Sequence, residues 1–393
     1  MIRRILYSVP LLTMSVAAFA APQLSQYTAI RVQKANELAL KEQYQPAIQV
    51  LDSIDSSREY DNAYVERMLG VFYWQAGNAK QAIQHLNNAV NSHQLQDEQG
   101  WATERMLADL LMTHQEYRQA IPHYQNLTKN VPQGKKVEDV WLRLAQAHYQ
   151  LEQWPNVLDA VAQYSQHQSI HQVPTLSLKL GAQMALERWK SAIPTLEALI
   201  SLQPDKFSWW RQLVGLQLQT KQYSKALDTL ALAKLKKFPL PESDLRLLAQ
   251  LYAQRGIPER AAIVLDQLPD AGSDIKLITQ KAVYWQQAKE WDNAIEQWQL
   301  AAKHDNQYQW NLAQLLMQQG HYKSAVAALE KVKDSDKQPQ VLLAKARAHY
   351  KLDNLDKALV EAKQAHNIKQ SEESESWIKF LTNLRKSQKG IDS

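Results

Sequence analysis

Apolar and small residues return along this chain in one fixed order. The clearest copy runs from Leu69 to Ile83, with Leu86 and Ala89 following. Counting residue 63 as position one, leucine and a small residue stand at seven and eight (Leu69, Gly70) and an aromatic at eleven (Tyr73). Alanine stands at twenty (Ala82), then a large apolar and a small residue (Leu86, Ala89). This pattern predicts two antiparallel helices. Small side chains at positions eight and twenty let the two backbones approach. Large ones at four, seven, eleven and twenty-four fill the space between the pair and its neighbour.

The order recurs down the chain. Position twenty is taken in turn by Ala47, Ala82, Ala120, Val157, Ala192, Ala226, Ala261, Ala294, Ala325 and Ala358. Successive spacings run from 31 to 38 residues. An aromatic stands three residues before most of them: Tyr44, Tyr117, Trp154, Trp189, Tyr223, Trp291 and Tyr322. It begins the second helix. Pro132 and Pro204 fall twelve residues after their alanines, where a helix should close. Some copies depart from the pattern. Val157 replaces alanine, Gly181 lies eleven rather than twelve residues before Ala192, and Pro258 stands where the aromatic belongs.

Period and order together resemble the tetratricopeptide repeat (TPR), whose unit is about 34 residues of helix–turn–helix. The resemblance implies an all-α fold: an α-solenoid, a right-handed superhelix of about ten repeats. Polar residues 371–376 precede Trp377, Phe380, Leu381 and Leu384 at helical spacing, which predicts a capping helix over 371–386. The expected organisation is a leader over 1–20, the solenoid over 21–370, that capping helix, and a disordered tail over 387–393. The stretches 90–101, 133–140 and 166–173 are expected to be longer loops between repeats.

The leader is read from Arg3 and Arg4, an apolar run from Ile5 to Phe19, and the small-x-small site Ala18-Phe19-Ala20. Cleavage is expected after Ala20, with export to the periplasm by the general secretory route. The apolar run is too short for an ordinary membrane-spanning helix, and no later segment is apolar enough to be one.

A length of 393 residues suggests two or three globular domains, but a repeat array can run longer without splitting. Only 10 residues are glycine, which suits helices. Formal net charge is +5, from 45 basic and 40 acidic residues, too mild and diffuse for a nucleic-acid binder. With 0 cysteines, disulfides, iron–sulfur clusters and thiolate zinc sites are excluded.

No catalytic motif is legible. Gly134-Lys135-Lys136 lacks the rest of a phosphate loop, and no Gly-x-Ser-x-Gly occurs. His167 and His171 stand four apart without a third ligand at useful spacing, so no metal or other cofactor is expected. Glu372, Glu373 and Glu375 read as a solvated turn.

In TPR proteins the first helix of each repeat lines the concave face, with positions two, five, nine, twelve and thirteen pointing inward. Carried onto this chain, position five gives Arg67, Arg105, Arg211, Arg246 and Trp310. The later positions add Trp74, Asp109, Tyr149, Arg347 and a series of glutamines. Such a lining suits an extended peptide or acidic segment: glutamine bonds the main chain, arginine grips carboxylates, and aromatic rings give area at low entropic cost. Gly70, Ala82, Ala120, Ala192, Ala226, Ala261, Ala294, Ala325 and Ala358 are expected to be structural.

A narrower resemblance rests on segments reaching outside the repeat positions. They are QYTAIRVQKANELA (26–39), YDNAYVERMLGVFYWQAGNAKQAI (60–83), DEQGW (97–101), LKLGAQ (178–183), ALDTLALAK (226–234) and AKEWDNAIEQWQLAAKHDN (288–306). These resemble periplasmic TPR proteins encoded beside an ExbB–ExbD–TonB energy-transduction cluster in marine gammaproteobacteria. The resemblance implies an accessory role in TonB-dependent nutrient uptake, with TonB, ExbB, ExbD or an outer-membrane receptor as partner. The alternative is a TPR scaffold for outer-membrane or cell-wall assembly.

Overall fold

A helix pair approaches most closely where side chains are small, and the computed structural model shows small residues at the crossing in most of the repeats. The model describes residues 23–167 and 172–391. The expected leader, residues 1–20, lies outside them, as does His171. Two compact units divide the chain, up to Ala198 and from Leu199.

The first unit begins with α1 (Gln26–Ala39) and α2 (Tyr44–Asp52), then α3 (Glu59–Gln75) and α4 (Ala79–Asn91). It continues with α5 (Asp97–Thr113) and α6 (Tyr117–Lys129), α7 (Glu138–Gln150) and α8 (Trp154–His167), then α9 (Val173–Ala185) and α10 (Trp189–Leu202). The unit boundary falls inside α10. The second unit holds α11 (Phe207–Gln219) and α12 (Tyr223–Leu235), α13 (Glu242–Gln254) and α14 (Pro258–Leu265). Then come α15 (Ile275–Gln287) and α16 (Trp291–His304), α17 (Gln309–Gln318) and α18 (Tyr322–Leu329), α19 (Gln338–Lys351) and α20 (Leu355–Ile368), and last α21 (Glu372–Ile391). Among the described residues there are ten helical hairpins, one final helix and no strand.

The registering residues at position twenty, from Ala47 to Ala358, are all fully buried. Twelve residues before them stand Ala35, Gly70, Ala108, Ala145, Leu180, Val214, Ala249, Ala282, Ala313 and Ala346, also buried. Where Leu180 takes that place, Gly181 serves a different contact. A Cβ there would lie 2.7 Å from the Tyr149 ring on α7, so the glycine admits the neighbouring hairpin and not its own second helix.

Successive hairpins share one core within a unit. In the first, Leu107 and Leu111 of α5, Tyr124 and Leu127 of α6, and Val140 and Leu144 of α7 form a single buried cluster. Each fully buried side chain of this size contributes about 1.5–3 kcal/mol relative to exposure. No hairpin buries its outer face alone, so stability is shared between neighbours.

The turn inside every hairpin has the same backbone. The residue five before each registering residue has positive φ, 79–80° at Gly77, Gly256 and Gly320, and 54–62° at the other seven. Those seven are Glu42, Gln115, Glu152, Glu187, Lys221, Lys289 and Asp353. The left-handed residue closes the first helix and turns the chain at once into the second.

Three expectations of boundaries change. Residues 97–101 and 138–140 are helical, because acidic residues (Asp97, Glu98; Glu138, Asp139) open α5 and α7 in the first turn, where the helix dipole favours them. Of the stretch 166–173, Val173 already belongs to α9, and 168–171 lie outside the described residues. The expected disordered tail is helical through Ile391, five residues past the expected end, across the helix formers Lys386, Gln388 and Lys389. Glu372, Glu373 and Glu375, read as a solvated turn, are exposed and form the first turn of that helix. Ser371 caps it, its Oγ accepting from the Ser374 N–H at 3.2 Å.

Candidate partner-binding sites

The first helices of successive hairpins stand side by side and leave recesses between them. In the first unit Trp74, at the end of α3, faces Ala102, Arg105, Met106, Asp109 and Thr113 of α5 across a recess of about 310 Å³. Trp74 is 53% exposed, an unusual state for so large an apolar ring.

Arg105 is not an open cation. Its guanidinium lies 5.5 Å from the Trp101 ring centre and pairs with Asp109 at 3.7 Å and with Asp139 of α7 at 3.7 Å. Asp109 also accepts from the Tyr124 hydroxyl at 2.6 Å and lies 4.0 Å from Arg143. Burial, and then the bond to Asp109, push the Tyr124 hydroxyl far above its ordinary pKa, so it stays a donor. The result is a balanced network beside the Trp74 recess: it offers donors and acceptors, with little net charge.

Tyr149 is drawn away from solvent. Its ring meets Trp154 edge-on at 5.1 Å and presses on Gly181. It wedges two hairpins together rather than presenting a free ring. Arg67 is half-buried, 5.8 Å from the Tyr64 ring, and its Nε is buried without a hydrogen-bond partner.

In the second unit Arg211 and Gln212 of α11 and Asp244 and Leu247 of α13 border a recess of about 280 Å³. Arg211 Nε lies 3.0 Å from Asp244 Oδ2. Arg246 is exposed. Trp310, Gln314 and Met317 of α17 and Gln340, Leu343 and Arg347 of α19 line a third recess, of about 380 Å³, which Glu373 of α21 helps to close. Arg347 pairs with Glu373 and lies 5.9 Å from the Trp377 ring.

The structure thus places Trp74 with Arg105, and Trp310 with Arg347, each pair at a shared recess. Arg67, Tyr149 and Arg246 line none of these three. The sequence reading missed the counter-charges. Arg105 and Asp109 are four apart on one helix, a pairing legible from spacing. Asp139, Asp244 and Glu373 reach their arginines from other helices, and spacing along one helix carries no sign of that.

A larger concavity, about 590 Å³, lies away from these residues, between the α4–α5 connection and α6. Its polar lining includes His123, bonded to Glu104 at 3.1 Å, with Asn126 donating to the same carboxylate at 2.7 Å. Glu66, His85 and Asn88 repeat this arrangement one hairpin earlier, so it ties the first helix to the second in these two hairpins. His167 is exposed at the end of α8. Among the described residues no group of three or more histidine, aspartate or glutamate side chains is placed to hold a metal ion. None of the described helices is long and apolar enough to cross a membrane.

Stacked hairpins with small residues at positions eight and twenty define an all-α repeat protein. The tetratricopeptide-repeat family model matches residues 105–169, 182–240 and 310–367, so these three segments carry tetratricopeptide repeats. Solved structures similar to it include a tetratricopeptide repeat protein from Parabacteroides merdae, 14% identical, covering 66% of this chain and 99% of that one at a TM-score of 0.38. MamA from AMB-1 is 15% identical over 45% of this chain and 92% of its own, TM-score 0.38. A putative kinesin light chain from Podospora anserina with TPR-like repeats is 14% identical over 46% and 97%, TM-score 0.35. No match is found among curated proteins.

Proposed function

We propose that this chain is a non-catalytic scaffold that binds protein partners along the first helices of its hairpins. The observation that carries the reading is the Trp74 recess: a half-exposed indole beside the apolar Met106, rimmed by the neutralised Arg105–Asp109 pair. Large aromatic side chains in such recesses are the usual anchors of protein interfaces. We place the protein in the periplasm, as an accessory of a TonB-dependent transport complex that takes up iron–siderophore, heme or similar nutrients. Support for this narrower reading is the leader sequence at 1–20 and the segment resemblance described above.

The charge balance bears on the partner. Arg105, Arg211 and Arg347 already face carboxylates of this chain, so an acidic ligand would have to displace them. A neutral segment with apolar anchors fits better than an acidic one.

The test is in-cell crosslinking of a tagged full-length copy and of its Trp74→Ala variant, with mass spectrometry of the captured proteins. TonB, ExbB, ExbD or a receptor captured by the wild type and lost from the variant supports the whole reading. Capture of envelope-assembly proteins instead, with the same loss, keeps the scaffold and overturns the transport role. A capture profile unchanged by the substitution overturns the Trp74 site.

A further inference from the structure

The repeat period stretches at one place in the chain. Registering residues stand 31–35 apart elsewhere, but 38 apart from Ala82 to Ala120 and 37 from Ala120 to Val157. The concavity of about 590 Å³ lies within that stretch, bordered by the α4–α5 turn and by residues 130–132 after α6. A volume of this order suits a small ligand. Glu104 lines this concavity, whereas Arg105 and Asp109 line the Trp74 recess, so the two open on opposite faces of α5.

The rim is firmly held. A Cβ at Gly100 would fall under 3.0 Å from the Leu95 carbonyl oxygen, so the α4–α5 turn lies hard against α5. Outside the hairpin turns, three described residues other than glycine have left-handed φ. Two of them, His93 at 54° and Asp97 at 51°, stand on this rim. Backbone held in that conformation collects at binding sites.

Inside, polar side chains fix one another's direction. His123 donates from Nδ1 to Glu104, which leaves its Nε2 as an acceptor. Asn126 donates one amide N–H to the same carboxylate, and its Oδ1 accepts from Asn130 Nδ2 at 2.7 Å. Asn126 and Asn130 each keep a second amide N–H, and Asn130 keeps its carbonyl oxygen. Glu104 is already met by two donors, and Lys129, the single lysine or arginine of the lining, is offset by Asp97. The lining therefore singles out neither an anion nor a cation. Donors and acceptors side by side match hydroxyl groups, which do both. Val131, 37% exposed, and Pro132 add an apolar edge for the C–H face of a ring.

We propose that this concavity binds a neutral saccharide, with hydroxyls bonded to His123 Nε2, Asn126 and Asn130. The site lies outside the first-helix recesses and goes beyond the scaffold reading, which stands or falls without it.

The preceding hairpin supplies an internal control. Asn88 makes the same bond to Glu66 that Asn126 makes to Glu104, but it does not line the concavity. Isothermal titration of the purified full-length chain uses maltose, cellobiose and N,N′-diacetylchitobiose, with inorganic phosphate as the charged comparison. At least one disaccharide should bind the wild type. Asn126→Ala should weaken that binding about fivefold or more, the loss of one hydrogen bond. Asn88→Ala should leave it unchanged, although both variants lose an equivalent tie between helices. Binding of none of the three disaccharides overturns the proposal, and binding of phosphate alone overturns the neutral class. Equal affinity of Asn126→Ala and wild type, or equal weakening by the two variants, overturns the assignment of the site.

Discussion

Gly70 tests the packing logic of the repeat directly. It lies in the interior of α3, where alanine would normally stabilise a helix by about 0.8–1.0 kcal/mol. The surroundings reverse that expectation. A Cβ at Gly70 would stand 2.6 Å from Leu86 Cγ, 2.8 Å from its Cδ2 and 3.1 Å from its backbone nitrogen. Leu86 is fully buried on α4, so its side chain has no open space to enter, and moving its nitrogen means moving the helix. Overpacking of this kind costs about 1–3 kcal/mol. Gly70→Ala should therefore destabilise the first unit by a net ~1 kcal/mol, or about 2–4 °C in Tm. Gly215→Ala is the matched control: also helical, also Gly to Ala, but with open space around the new methyl, so it should gain about 0.8–1.0 kcal/mol. Urea denaturation followed by circular dichroism measures both shifts in midpoint. The comparison holds only if the slopes stay equal, since repeat arrays can lose two-state behaviour. If Gly70→Ala raises the midpoint as Gly215→Ala does, the close approach of α3 to α4 is not what fixes glycine there.

Other perturbations follow from particular contacts. Lys221→Gly, at a turn position with φ of 59°, should stabilise by about 0.5–1 kcal/mol by relieving left-handed strain, read as a higher urea midpoint. Asp61 is buried, which raises its pKa, but hydrogen bonds from Ser25 and Thr28 and the charge of Arg58 outweigh that and leave it depressed. A carboxylate depressed on folding adds stability above about pH 4, and that stability drains away as pH falls through its folded value. Asp61→Asn should flatten this acid limb in a pH series of unfolding midpoints, and an unchanged limb would show that Asp61 does not govern it. Arg347 and Glu373 are each about half-exposed, so a double-mutant cycle to alanine should give a coupling of only about 0.2–1 kcal/mol in urea denaturation.

Much of the fold was legible because it rests on short-range rules. Ala82 and its equivalents appear in the sequence at a near-constant period, and small residues so spaced have one reading in a helix pair. The shared turn was less visible. A left-handed residue is signalled by glycine, and only Gly77, Gly256 and Gly320 supply one, while Glu, Gln, Lys and Asp hold the same backbone elsewhere. There the surrounding hairpin imposes the conformation. The tail beyond residue 386 went unrecognised as helix because it is polar, and helix propensity without an apolar face is a weak signal.

The candidate site divides along the same line. Sequence alone determined that Arg105, Arg211 and Arg347 stand at registered positions on first helices, since register is a matter of counting. Tertiary structure alone decided that these arginines are already matched by Asp139, Asp244 and Glu373 from other helices, and that Tyr149 is spent on Gly181. It also decided that Gly215 opens on empty space while Gly70 does not. The reason is physical: helical periodicity fixes the direction of a side chain within its own helix, whereas its charge partner and its free volume are set by whichever helix packs beside it.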